Sequence, residues 1–242
     1  MISKTFEITK YCLENHPRDD IFCVKENGKW IKYSTQEYLE YSTTIAAYLM
    51  SLGLKKGDRI ASFTTNNTPE WNFIDVGMSM IGIIHVPIHL SFSKVELDYI
   101  LNQIKAKYVF VSDEKTYKDV SESLNVSHSL EQILSFESFE GLPNWEQIIE
   151  KGKKIRNQYE NEIITETNAI QVEDPVTLLF TSGTTGKPKG VLLSHKNLVS
   201  NLISASNLQP LGYGDKALSF LPLSHIYERT SNYQLHWRQF GL

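Results

Sequence analysis

Apolar residues recur along this chain at two alternating spacings, and that alternation predicts its elements. Residues 3–15 place Phe6, Ile8, Tyr11 and Cys12 on a weak helix that Pro17 ends. Ile21 to Val24 and Lys29 to Tyr33 read as short strands around Asn27-Gly28, a dipeptide suited to the two positive φ angles of a type I′ hairpin. Ser34 and Glu37 form an S-x-x-E capping box. It opens a helix whose stripe is Tyr38, Tyr41, Ile45, Leu49 and Leu52 and whose stop is Gly53.

From Arg59 onward strand and helix alternate. Arg59 to Phe63 is a strand, and Thr68-Pro69 supplies an N-cap with proline at the first helical position. The helix runs through Trp71, Ile74, Met78 and Ile81 to Gly82. Ile83 to Val86 is the next strand, Ser93 and Glu96 make a second capping box, and Leu97, Ile100, Leu101 and Ile104 line the helix that leads to the strand Tyr108 to Val111. Strands alternating with helices imply right-handed crossovers and a mostly parallel sheet with helices on both faces. The expected fold class is α/β.

Between 112 and 174 the pattern loosens. The stretch 142–163 carries Lys151, Lys153, Lys154 and Arg156, but acidic residues flank them, so the run reads as a solvated helix face rather than a lipid-binding one. The pattern sharpens again at Val176 to Phe180 and Gly190 to Leu193, two apolar strands that enclose a loop of hydroxyls and glycines. Ser194 then caps a helix with Leu198, Val199, Leu202, Ile203 and Ser206 at helical spacing. A turn at Gly212 to Gly214 precedes the apolar run Ala217 to Leu221, which reads as a strand with Pro222 and His225 at its end. A last helix carries Ile226, Thr230, Tyr233, Trp237 and Phe240, with Gly241 as its C-cap.

The enclosed loop concentrates the chemistry. Gly183, Gly186 and Gly190 allow a close backbone approach or positive φ. Thr181, Ser182, Thr184 and Thr185 are hydroxyl donors, and Lys187 and Lys189 add positive charge with no acid among them. This combination suits a polyphosphate. It is not a Walker loop: Gly183 and Gly186 are too close, Pro188 stands where the magnesium-binding hydroxyl belongs, and a strand follows instead of a helix.

Composition narrows the partners without naming one. In 242 residues, 41% hydrophobic and 21% charged, there is length for one large or two small domains. A formal net charge of −4 and a pI of about 6.0 give no footprint for nucleic acid. Cys12 and Cys23 have neither metal-ligand nor disulfide spacing and are expected as buried free thiols in a reducing, cytoplasmic setting. The N-terminus lacks the apolar core of a signal peptide. The longest apolar stretch, Val76 to Leu90, is broken by Ser79, His85 and Pro87 and is too short to span a bilayer.

Phe180 to His195, FTSGTTGKPKGVLLSH, resembles the phosphate-binding motif of the AMP-forming adenylating enzymes, the superfamily of acyl-CoA synthetases, firefly luciferase and peptide-synthetase adenylation domains. GDRIASFTTNNTPEW and the segment from Gly82 through VPIHLS resemble that family's early motifs, more weakly. LPLSHIYERT, Leu221 to Thr230, resembles the motif that follows its phosphate loop, and the H-x-x-E-R-T ending is similar to the long-chain acyl-CoA synthetase branch.

The resemblance implies the N-terminal portion of the large domain of an adenylate-forming enzyme, with an α/β region at 1–173 and the start of a phosphate-loop subdomain at 174–242. It implies a long-chain fatty acid:CoA ligase that uses ATP, Mg²⁺ and coenzyme A: fatty acid and ATP give acyl-AMP and pyrophosphate, and the acyl group passes to the thiol. Thr181, Ser182, Gly183, Thr184, Thr185, Gly186 and Lys189 would bind the phosphates, and His225 would lie near the acyl carboxylate and the entering thiol. Glu228 and Arg229 would pair behind it. The family's magnesium-binding glutamate, ribose-binding aspartate and late lysine would fall past Leu242, so the chain reads as truncated, without a complete catalytic set or metal ligand, and inactive alone. An adenylating enzyme for another acid and a non-catalytic nucleotide-binding module are the alternatives. Acyl chain length, oligomeric state and contact with a membrane surface are not readable from these residues.

Overall fold

The computed structural model describes residues 2–125, 129–139, 141–182, 186–206, 208 and 214–238, the side chains at 125, 235, 237 and 238 excepted. Helix α1 (Thr5–Asn15) leads into strands β1 (Phe22–Glu26) and β2 (Lys29–Tyr33), an antiparallel pair in register from Phe22↔Tyr33 to Glu26↔Lys29. Asn27 and Gly28 have φ of 47° and 79°, the positive pair that the Asn-Gly turn demands. Both capping boxes form. The Ser34 N–H donates to Glu37 Oε2 at 2.7 Å ahead of α2 (Thr35–Ser51), and the Ser93 N–H donates to Glu96 Oε2 at 2.8 Å ahead of α4 (Lys94–Ile104).

The main sheet has six strands in the order β6-β5-β3-β4-β7-β8: β3 (Arg59–Phe63), β4 (Ile84–Pro87), β5 (Tyr108–Val111), β6 (Gln132–Ser135), β7 (Pro175–Thr181) and β8 (Lys189–Ser194). Neighbours from β6 to β7 run parallel, and β8 returns antiparallel to β7. Alternation along each strand sends side chains to two cores. Ile60, Tyr108, Phe110 and Leu134 meet α2, α3 (Pro69–Met80) and α6 (Trp145–Ala169) on one face; Ala61, Phe63, Val109, Val111 and Ile133 meet α4 and α5 (Glu114–Ser121) on the other. This is the α/β class that the alternating pattern predicts.

A third cluster lies outside the first helical layer. Phe6, Ile8 and Cys12 of α1 pack with Tyr38 and Phe73, with Val199 and Leu202 of α7 (His195–Ser206), and with Tyr233 of α8 (Ile226–Arg238). It ties the last two helices back to the first.

The loose segment from 112 to 174 holds α5, β6 and α6, with a single turn of 3₁₀ helix at Glu122–Asn125. Sequence pattern missed β6 because four residues, buried without alternation beyond the first, carry no period. It under-read α6 because only Ile148, Ile149, Gly152 and Ile163 are buried over 25 residues. The basic run is on the surface as expected, and it also packs: the ammonium groups of Lys151 and Lys153 sit 5.7 and 5.5 Å from the ring centroids of Tyr48 and Tyr41 on α2.

Two expectations are corrected. Cys12 is buried, which pushes its thiol far above the usual range, but Cys23 is exposed, because β1 turns Phe22 toward the body of the protein and Cys23 and Lys25 away from it. The apolar run from Ala217 to Leu221 forms no strand, and Leu218 and Phe220 are 81% and 74% exposed. Among the described residues no helix is long and apolar enough to cross a membrane.

Candidate functional site

The loop that the sequence singles out leaves the carboxyl end of β7. Because β7 lies parallel to β3, β4 and β5, the loop projects from the edge where α/β sheets hold their ligands. Thr181 is the last residue of β7 and pairs in register with Lys189, the first of β8, so both sit at the mouth of the hairpin and both are exposed, as is Ser182. Gly186 takes φ of 82°, a conformation that β-branched or bulky residues avoid. Gly190 stands opposite Phe180, and a Cβ there would come within 3.4 Å of the Phe180 ring. Gly183, Thr184 and Thr185 lie outside the described residues.

The two lysines of the loop part company. Lys187 places its ammonium 5.6 Å from the ring centroid of Tyr99 on α4, which holds that arm of the loop against the helix layer. Lys189 is exposed at the hairpin mouth, beside the Thr181 hydroxyl position. Beyond β8, the Ser194 N–H donates to Asn197 Oδ1 at 3.0 Å and Ser194 Oγ accepts from the Asn197 N–H at 3.3 Å, the cap that the sequence predicts at this position.

His225 is exposed and precedes the first turn of α8. Its Nδ1 accepts the Tyr227 N–H at 3.3 Å, so the ring caps the helix, and in the neutral imidazole the proton is carried on Nε2. A groove of about 460 Å³ separates α8 from β8 and α7. Leu193, Asn197 and Leu198 line it on the loop side, and Ile226, Tyr227 and Thr230 on the His225 side. The elements that follow the loop and the helix that follows His225 therefore face each other. A larger cavity of about 600 Å³ lies elsewhere, between Cys23, Lys25 and Trp30 of the hairpin, Asn72 of α3 and the 215–219 segment; Glu228 lines it, but neither the described loop residues nor His225 does.

Glu228 and Arg229 do not pair with each other, which corrects the expectation. Glu228 Oε1 accepts from Ser219 Oγ at 2.6 Å, whereas Arg229 turns inward and forms a two-pronged ion pair with Asp75 of α3. Helical geometry explains the division, since neighbouring residues point about 100° apart around the axis. Asp75 and His85 are the residues that sequence reasoning passed over. Their signal was present: one acid inside an otherwise apolar helix and one histidine inside an apolar strand, in residue types that are rarely buried unpaired.

Comparison with known proteins bears on this arrangement directly. The AMP-binding enzyme family matches residues 10–236, nearly the whole chain. The chain belongs to the AMP-binding enzyme family. A long-chain-fatty-acid CoA ligase of Mycobacterium bovis is 30% identical over 221 residues, covering 89% of this chain and 36% of that protein. Fatty acyl-CoA synthetase A of Dictyostelium discoideum is 32% identical over 214 residues, covering 84% of this chain and 30% of that protein. The chain thus spans about a third of the length of the curated relatives it matches. Among solved structures, a putative long-chain-fatty-acid CoA ligase from Rhodopseudomonas palustris superposes with a TM-score of 0.78 at 17% identity, over 98% of this chain and 56% of that one. That likeness carries the fold.

Magnesium is assigned no ligand here. Among the described residues no three His, Cys, Asp or Glu side chains come together as a group able to hold a metal ion.

Proposed function

We propose that the protein carrying this AMP-binding region is a long-chain fatty acid:CoA ligase. In the first step a fatty acid carboxylate oxygen attacks the α-phosphorus of ATP, the bond from that phosphorus to the bridging oxygen breaks, and pyrophosphate leaves. In the second, the coenzyme A thiolate attacks the acyl carbon and AMP leaves. The observation that carries the reading is the hairpin mouth at the carboxyl edge of the sheet, where Thr181, Ser182 and Lys189 stand exposed around a positive-φ glycine, Gly186. These groups would donate to the β- and γ-phosphate oxygens. Donors fixed before the charge develops are the arrangement that stabilises it most.

In this reading Gly183, Thr184 and Thr185 complete the phosphate cradle, and His225 stands beside the acyl carboxylate and the incoming thiol. Residues 174–242 open the phosphate-loop subdomain. Mg²⁺ would neutralise phosphate charge when bound. The names of the relatives support the fatty acid and the thiol, and free thiols in both cysteines fit a cytoplasmic enzyme, which can still touch a bilayer to collect its substrate.

The test is ATP-pyrophosphate exchange by the gene product that carries this chain, with acetate, octanoate, palmitate and benzoate each supplied alone. Exchange with the longer fatty acids is the expected result. Exchange confined to benzoate or acetate would replace the fatty acid in the reading, and ATP binding without exchange on any acid would overturn the ligase.

A further inference from the structure

Four side chains converge on Asp75 inside the protein, or on a residue that touches it. Arg229 gives Nη2 to Oδ1 at 2.6 Å and Nε to Oδ2 at 3.0 Å, and Tyr233, one turn further along α8, gives its hydroxyl to Oδ2 at 2.5 Å. His85 of β4 places Nδ1 2.6 Å from Oδ1, and its Nε2 is 2.8 Å from Ser62 Oγ on β3. Burial alone would raise the Asp75 carboxyl, but Arg229, His85 and Tyr233 outweigh it and hold the group below its ordinary range. An ionised Asp75 makes Nδ1 of His85 the donor, which leaves Nε2 to accept the Ser62 hydroxyl.

Ser62, His85 and Asp75 are connected in the order of a hydrolase triad. They are not one. Ser62 is 1% exposed, His85 0% and Asp75 1%, so no substrate reaches the serine, and the carboxylate is shared with a guanidinium.

What the cluster does is join the two halves of the candidate site. On one side, His85 is the register partner of Thr177 in β7, and Thr177 Oγ1 donates to the His85 carbonyl at 2.8 Å; the same strand ends at Thr181, where the loop begins. On the other, Arg229 lies one turn after His225, and its N–H donates to the His225 carbonyl at 3.3 Å. The path from loop strand to histidine helix runs Thr177, His85, Asp75, Arg229, His225, with each link a hydrogen bond. A buried ion pair is seldom worth more to stability than apolar residues of the same volume, but its two-pronged geometry restricts orientation in a way that apolar packing does not.

We propose that Asp75 is a positioning residue: with Arg229 and His85 it fixes the helix that carries His225 relative to the strand that carries the phosphate loop. The proposal rests on the ligase reading of the site.

The test uses Asp75→Asn and Arg229→Lys in the gene product that carries this chain. The comparison is a variant of the opposite core, Ile100→Val or Leu101→Ala, whichever lies nearer in Tm. Pyrophosphate exchange and CoA-dependent thioester release are measured separately, well below Tm. Misplacing a reacting group by about 1 Å can cost on the order of a hundredfold in rate. The expected result for Asp75→Asn is a loss of about tenfold or more in kcat for thioester release, with the ATP KM in exchange nearly unchanged. Arg229→Lys should show a smaller loss of the same kind, and the opposite-core variant neither. If both site variants turn over like the thermally matched variant, the proposal is overturned. If Asp75→Asn does not fold, Arg229→Lys and Tyr233→Phe carry the comparison. Amide hydrogen exchange across residues 223–230 separates this inference from the ligase reading. Should the wild-type protein ligate nothing, exchange no faster in Asp75→Asn than in the matched variant still overturns the positioning role, and faster exchange confined to that segment supports it.

Discussion

Thr5 and His195, 190 residues apart, are joined at a single nitrogen: the Thr5 N–H donates to His195 Nδ1 at 3.2 Å, and Thr5 Oγ1 lies 3.1 Å from the same atom. A main-chain N–H can only donate, so Nδ1 carries no proton and the ring is neutral. Burial pushes the pKa of His195 down to about 4, with the Arg229 charge adding to the effect.

Acid should therefore loosen the contact between α1 and α7. The folded pKa lies below the unfolded value of about 6.5, so the contribution of His195 to stability is full above that pH and is lost as pH falls toward 4. The loss amounts to on the order of 3 kcal/mol at the bottom of that window. His236, pushed down to about 3 by burial, adds to the same slope. Urea unfolding of the chain between pH 7 and 4 should show the decline. His195→Asn, which retains an acceptor near Nδ1, should flatten it, and an unchanged slope would remove His195 from the account.

Gly77 marks where α3 crosses α2. A Cβ at this position would come 2.6 Å from the Ser42 carbonyl oxygen and 2.9 Å from Ile45 Cγ2, and the carbonyl is main chain that cannot turn aside. Overpacking of this kind costs about 1–3 kcal/mol. Gly77→Ala should lower Tm by several degrees, while Gly28→Ala, at a hairpin tip with open space around it, should lower it less and only through its positive φ. Equal losses would mean that the α2–α3 crossing adjusts.

The alternation of strand and helix from β3 to β5, both capping boxes, the Asn-Gly hairpin and the hairpin that bears the loop were legible because each depends on neighbours within a few residues; the order β5-β3-β4 in the sheet was not, because it depends on pairing between distant strands. Ser34 needs only Glu37, and Asn27-Gly28 needs only its own φ angles. The Asp75–Arg229 pair was not legible, since its partners stand 154 residues apart and no local period links them. The segment from Ala217 to Leu221 misled for a related reason. Its composition is that of a strand, but a strand needs a neighbour to hydrogen-bond, and among the described residues this one finds side chains instead, with Asn67 Nδ2 donating to the Leu221 carbonyl at 2.7 Å.

Removing one partner of the Asp75–Arg229 pair should cost far more than replacing both. Arg229→Met leaves a carboxylate enclosed with only His85 and Tyr233 as donors, and breaking a buried pair in this way costs about 3–5 kcal/mol. Asp75→Leu combined with Arg229→Met removes both charges and should recover most of that stability, though Tyr233 and His85 then lose an acceptor. Chemical denaturation of the two single variants and the double variant closes the cycle. Additive losses would show that the two charges contribute independently.

Lys187 and Lys189 stand two residues apart in the same loop, yet their surroundings predict opposite outcomes on substitution. Lys187 is engaged with Tyr99, an exposed cation–π contact worth about 0.5–1 kcal/mol, so Lys187→Met should change the ATP KM in pyrophosphate exchange by only a few-fold. Lys189 faces the hairpin mouth opposite Thr181. If it donates to the departing phosphates, Lys189→Met removes a charged donor from the developing negative charge, and loss of one preorganised donor costs roughly a hundredfold or more in rate. Exchange kinetics of the two variants with palmitate, measured side by side, decide the matter. A Lys187→Met protein that fails while Lys189→Met turns over would reverse the assignment. It would mean that the contact with Tyr99, and not the hairpin mouth, presents the working lysine to the nucleotide.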